Sequence, residues 1–107
     1  MPAGVLLGLA ILTEVIGTVL LRVSDGFSKP LASAGVVVMY VVSVIFLARV
    51  LKELEIGFTY AVWAGIGTAA VAIIGVAVWD EPMGMVKALS LMAVIAGVIG
   101  LNLAATH

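Results

Sequence analysis

Long apolar segments alternate with short polar ones along the 107-residue chain. The apolar segments lie at about residues 3–21, 31–50, 57–79 and 85–105. Each is close to the ~20 residues that span a bilayer as an α-helix. None alternates apolar and polar residues as a half-buried strand does, although Val and Ile are abundant. The pattern therefore predicts an all-α integral membrane protein with four transmembrane helices per chain.

The polar separators contain the turn-forming residues and most of the charge, and they read RVSDGFSKP, LKELEI and DEPMG. Separators this short force neighbouring helices to run antiparallel. We therefore expect residues 1–107 to form a single four-helix transmembrane domain, with no room for a soluble domain. The first segment has no basic start and is longer than the ~7–15 apolar residues of a signal-peptide core, so we expect it to be retained.

Composition leads to the same class of protein. Hydrophobic residues make up 64% of the chain and charged residues 10%, against about 45–50% and about 25% in soluble domains. A net charge of −1 without a basic stripe argues against nucleic-acid binding. The chain has no cysteine and one histidine, His107, which excludes a disulfide framework and a metal site built from Cys and His. We expect a lipid bilayer as the surrounding medium.

Glu14 stands inside the apolar sequence ILTEVIGT, whereas the other charged residues lie at or near predicted helix ends. A charge at the bilayer centre costs about 2.5–3.5 kcal/mol on insertion scales, so such residues are functional candidates. A carboxylate there can carry a proton or pair with a cation. The alternative is a permanently protonated Glu14 that only hydrogen-bonds a neighbouring helix. Small or neutral residues share its helical face, and we expect them to border the substrate space: Ala10, Gly17 and Thr18.

Aromatic and hydroxyl residues of the second and third segments extend this candidate cation site. Tyr40 and Ser43 lie three residues apart in the second segment, and Tyr60 and Trp63 have the same spacing in the third. Ring quadrupoles attract a cation, and flat rings cover its apolar body. An alternative for Tyr60 is a role as an anchor at the membrane interface. Trp63 lies further inside the segment, where that role fits less well.

Small residues recur where helices can approach closely in lipid. Gly65 and Gly67 predict either a flexing point for alternating access in the third segment or close packing only. Ser90 and Gly97 lie one heptad apart in the fourth segment and predict either packing within one chain or dimerisation. We favour dimerisation, because four short helices cannot by themselves enclose a sizeable ligand cavity.

Lysine and arginine are divided almost equally between the two predicted sides of the membrane. One side carries Arg22, Lys29 and Lys87, and the other carries Arg49 and Lys52. Basic residues normally mark the cytoplasmic side, so nearly equal numbers of them on the two sides permit insertion in both orientations. This balance predicts an antiparallel dimer of one sequence, unless another feature fixes the topology.

The sequences ILTEVIGTVLLRVSDGFSKP, FTYAVWAGIGTA and AGVIGLNL resemble the small multidrug resistance family over nearly the whole chain. The resemblance implies an antiparallel, dual-topology homodimer in the bacterial inner membrane. It implies a transporter, not an enzyme, that exchanges protons for aromatic or quaternary ammonium cations without a further cofactor. Glu14 is then the shared site of proton and substrate. The resemblance also places Trp63, Tyr60 and Tyr40 against the substrate, with Ser43 and Thr18 lining the cavity.

A second branch of that family exports guanidinium ions and typically has Trp three residues after the Glu and Lys near the end of helix four. Gly17 and Asn102 occupy those positions here, so the chain resembles the drug-exporting branch. Gly4 and Ser90 stand where drug exporters often have Tyr and Gly. Guanidinium export, membership of a heterodimeric pair and a non-transporting membrane assembly remain alternatives.

Overall fold

The computed structural model describes residues 1–105, so His107 lies outside the described residues. Within that range the chain forms α-helices at Ala3–Val23 (α1), Pro30–Val50 (α2), Ile56–Trp79 (α3) and Met85–Ala105 (α4). All of them are long and apolar enough to cross a membrane. The predicted all-α membrane fold is confirmed. The largest boundary difference is at the end of α1, which reaches Val23 instead of about residue 21.

The loop between α1 and α2 is organised by Ser24, which is fully buried. Its hydroxyl donates to the Leu21 carbonyl at 2.7 Å and accepts the Phe27 N–H at 3.1 Å. Gly26 and Phe27 both have positive φ, 71° and 66°, which reverses the chain within a few residues. Pro30 then begins α2, because the first helical turn does not need the N–H that proline lacks.

The chain divides into two compact units at the boundary between Leu54 and Glu55. In the first unit α1 packs against α2, and Val36 and Val50 of α2 are almost fully buried. Gly35 of α2 comes so close to α1 that a Cβ there would stand 2.8 Å from Leu20 Cδ1. The single-domain organisation stays a prediction, whereas a closely packed α1–α2 hairpin is present in the structure.

In the second unit α3 packs against α4 at Gly65. A Cβ at Gly65 would stand 2.8 Å from Val98 Cγ2 and 3.1 Å from Val94 Cγ1, so the close approach requires a glycine. The helix continues without interruption through Gly65 and Gly67. These observations favour the close-packing alternative for Gly65, and flexing at Gly65 and Gly67 stays a prediction.

Only one face of α4 packs on α3. The half-buried residues of this face are Ala88, Leu91, Ile95 and Val98. The residues two positions after each of them are small and exposed: Ser90, Ala93, Gly97 and Gly100. Two residues correspond to about 200° around a helix. Most of these small residues therefore point away from α3, whereas Gly97 borders the groove between the two helices together with Gly65 and Val94.

Candidate functional site

Glu14 lies near the middle of α1 and is half-buried. The other acidic or basic residues of the described helices lie in a first or last turn: Arg22, Arg49 and Lys87. Within residues 1–105, Glu14 is thus the only acidic or basic side chain in a helix interior. Its role in binding protons and substrate stays a prediction.

A chain of two hydrogen bonds connects Glu14 to α2. The Thr18 hydroxyl donates to Glu14 Oε1 at 2.9 Å, and Thr18 Oγ1 lies 2.8 Å from the Tyr40 hydroxyl oxygen. Since the single Thr18 proton is used toward the carboxylate, the Tyr40 hydroxyl donates to Thr18. Successive bonds of this kind polarise one another. The arrangement orients one carboxylate oxygen and directs two hydroxyl dipoles toward its negative charge.

Gly17 makes this connection sterically possible. It is buried, and the Tyr40 ring occupies the space that a side chain at position 17 would need. The sequence predicted open space beside the carboxylate at Gly17. In the structure the aromatic ring of α2 fills that space, and the contact serves to position the Tyr40 hydroxyl.

Ser43 links α2 to α1 one helical turn before Glu14. Its hydroxyl donates to the Ala10 carbonyl at 2.7 Å, and both residues are almost completely buried. A hydroxyl inside a membrane protein needs such a partner, because the bilayer core supplies no water. The bond fixes α2 against the part of α1 that carries the carboxylate. The direct contact of Ala10 and Ser43 with a substrate stays a prediction.

The second unit contains the α3 aromatic residues predicted for the site. The rings of Tyr60 and Trp63 are in an edge-to-face contact, with centroids 5.6 Å apart and planes inclined by 69°. Tyr60 is 62% exposed, whereas Trp63 is half-buried and its indole Nε1 is buried. The Tyr60 ring is therefore available to a ligand and is in contact with the Trp63 ring.

Thr59 is a polar residue of this region that the sequence reasoning missed. It precedes Tyr60 and is fully buried, and its hydroxyl has no hydrogen-bond partner in the described part of the chain. The available signal was a hydroxyl one helical turn before Trp63 in a largely apolar helix. Among the described residues no group of three acidic or histidine side chains is arranged to hold a metal ion.

Known proteins resemble this chain over most of its length. Residues 3–95 match the family described as Small Multidrug Resistance protein. The multidrug resistance protein EbrB of Bacillus licheniformis is 42% identical over 95% of this chain and 86% of its own length. The nicotine metabolites export pump subunit NepA of Paenarthrobacter nicotinovorans is 45% identical over 94% and 86%. The quaternary ammonium compound-resistance protein QacC of Staphylococcus aureus is 34% identical over 92% of each chain.

Proposed function

This chain belongs to the small multidrug resistance family, and we propose that it exports lipophilic aromatic or quaternary ammonium cations in exchange for protons. It is a multi-pass bacterial membrane protein and a drug-efflux transporter, not an enzyme. The observation that carries the proposal is the isolated carboxylate of Glu14 in the interior of α1. Protons are the coupling ion, and no further cofactor is involved.

The exchange follows from what one carboxylate can bind. An ionised Glu14 pairs with a cation, whereas a protonated Glu14 is neutral and has no charge to offer it. Proton and substrate therefore compete for the same group, and each displaces the other. Transport requires that the two ligands favour different conformations, because a ligand shifts an equilibrium only through its differential affinity.

The hydroxyl chain supports a role for Glu14 as an ion-binding group. Thr18 donates to Glu14 Oε1 and Tyr40 bonds to Thr18, so two linked hydroxyls hold the carboxylate in one orientation. A carboxyl that was only a structural hydrogen-bond donor would not need two groups aligned toward it as donors. These two hydrogen bonds do not involve Glu14 Oε2, and we assign the substrate cation to that side of the carboxylate.

Aromatic residues supply the apolar part of the proposed substrate contacts. The exposed Tyr60 ring with Trp63 at its edge, and the Tyr40 ring next to Gly17, are surfaces that attract a flat or quaternary cation. We assign these rings to substrate binding.

We also propose that the transporter is an antiparallel homodimer. Nearly equal numbers of basic residues on the two sides permit both orientations. The exposed small-residue face of α4, which contains Gly97 and Gly100, allows a second helix to approach closely. Pairing with a related but different chain is the main alternative. It is supported by the relative NepA, which is named as a subunit of an export pump.

Purified protein in detergent tests the exchange directly. Addition of tetraphenylphosphonium to wild-type protein near neutral pH, in weak buffer, should release protons as the cation binds. Glu14→Gln removes the charge at nearly constant size and should abolish both the binding and the proton release. Glu14→Asp keeps a carboxylate and should retain both. Cation binding with undiminished proton release by Glu14→Gln would contradict the proposal, and a wild-type chain that binds no cation alone would favour a non-transporting assembly.

A further inference from the structure

The Thr59 hydroxyl is buried without a hydrogen-bond partner among the described residues, which sets it apart from the other threonine and serine hydroxyls of the helices. Thr68 donates to the Ala64 carbonyl at 2.6 Å and Ser90 donates to the Val86 carbonyl at 2.7 Å, each one turn back in its own helix. This is the usual solution for a hydroxyl within a helix. Thr59 is fully buried and makes no such bond, and its Oγ1 has no partner among the described residues.

A second unpaired donor lies one turn further along α3. The indole Nε1 of Trp63 is buried and likewise has no partner within residues 1–105. Residues four apart in a helix share a face and are separated by about 6 Å along the axis. The edge contact with Tyr60 holds the Trp63 ring in place. Two hydrogen-bond donors and an exposed aromatic ring are thus grouped on neighbouring faces of a single helix.

Unpaired buried donors are costly, because they have lost their hydrogen bonds to water without gaining another partner. A ligand that brings an acceptor relieves that cost on binding. We propose that Thr59 Oγ1 and Trp63 Nε1 form a hydrogen-bonding subsite for an acceptor oxygen of the substrate. The preferred cargo is then a cation that carries a carbonyl, ether or hydroxyl oxygen beside its aromatic or quaternary part. This inference rests on the proposed export of cations.

The required group is an acceptor, as the chemistry of the two donors shows. An indole nitrogen only donates, and a hydroxyl that can rotate donates as well. A site built to bond a polar group discriminates strongly against an analogue that lacks it, because its own donors are then left unpaired. Purely hydrocarbon cations should still bind through charge and aromatic contact, but without this additional preference.

A matched pair of cations tests the subsite in proteoliposomes. Phenacyltrimethylammonium and 2-phenylethyltrimethylammonium differ only in a carbonyl that replaces a methylene. Wild-type protein should transport the carbonyl cation with the lower KM. Thr59→Val is nearly isosteric and should reduce this preference by about three- to tenfold, the range expected of one neutral hydrogen bond. Thr59→Ser retains the hydroxyl and should retain the preference.

The outcomes separate this inference from the proposed function. An unchanged KM ratio in Thr59→Val, or an equal rise of KM for both cations, would overturn the subsite while proton-driven transport by wild type continues. The second of these results would assign the hydroxyl to protein structure or to a protein acceptor. Thr59→Ala provides the same comparison if the valine variant does not fold. Wild-type protein that transports neither cation would contradict the function itself.

Discussion

The Tyr40 ring lies directly on Gly17: a Cβ at position 17 would stand 2.8 Å from both Cδ1 and Cε1 of the ring. The hydroxyl of the same tyrosine is 2.8 Å from Thr18 Oγ1, and Thr18 donates to Glu14. Packing and hydrogen bonding are therefore coupled at this point. The missing side chain at position 17 is what allows α2 to place a phenol next to the residue that contacts the carboxylate.

Gly17→Ala should displace the Tyr40 ring and break its bond to Thr18. Overpacking of a well-packed contact costs about 1–3 kcal/mol, so we expect a lower unfolding temperature and weaker cation binding in detergent. Gly8→Ala on the same helix is the matched control, because a Cβ there has nothing within 4 Å. Equal stability and equal cation affinity of the two variants would show that the ring contact is unimportant.

Thr18→Val should weaken cation binding by about three- to tenfold, since it removes the hydroxyl that connects Tyr40 to Glu14. Thr13→Val is the control on the same helix. The Thr13 hydroxyl bonds only the Leu9 and Ala10 carbonyls of α1, so its loss should leave cation binding close to wild type. Titration with tetraphenylphosphonium measures both affinities, and similar losses in the two variants would argue against the hydroxyl chain.

Ser43→Ala should destabilise the α1–α2 hairpin by about 0.5–1.5 kcal/mol, because it removes a buried bond between the two helices. Ser33→Ala is a suitable control. The Ser33 hydroxyl is bonded to the Lys29 carbonyl of the preceding turn and does not reach α1. Chemical denaturation in detergent compares the two. A loss of stability in Ser43→Ala no larger than in Ser33→Ala would mean that the bond between the helices contributes nothing measurable.

Gly97→Ile should reduce dimer formation, because a branched side chain on the exposed small-residue face of α4 keeps a second helix away. A Cβ at Gly97 meets nothing within 4 Å, so the first atom of the new side chain makes no close contact within the chain. Ala34→Ile, at an exposed position of α2, is the control. Crosslinking in lipid vesicles gives the dimer fraction, and equal fractions in the two variants would exclude this face as the dimer contact.

The fold could be predicted closely from the sequence because segment length decides it. Apolar segments of about 20 residues have few alternatives in a bilayer, and the separators place the turns. The importance of Glu14 could also be predicted, since an acidic residue among Leu, Ile and Val is conspicuous. The end of α1 could not be predicted, because Arg22 and Val23 extend the helix beyond the apolar run.

The contacts within the site depend on information that residue spacing does not contain. Periodicity places Thr18 beside Glu14, but the bond to Tyr40 depends on the relative register of α1 and α2 and on a rotamer. For the same reason Gly17 suggested free space, which the ring of another helix occupies. Thr59 was missed because a threonine in a helix ordinarily bonds its own backbone, and only the structure shows that this one does not.

Uptake of labelled tetraphenylphosphonium into proteoliposomes with an acidic interior tests the central claim most directly. We predict that wild-type protein alone accumulates the cation as protons leave, that electroneutral collapse of the pH gradient by nigericin with equal potassium on both sides abolishes the accumulation, and that Glu14→Asp retains part of it. Glu14→Gln should show no uptake above that of protein-free vesicles. Gradient-driven accumulation by Glu14→Gln at the wild-type level would contradict the assignment of proton and substrate to one carboxylate.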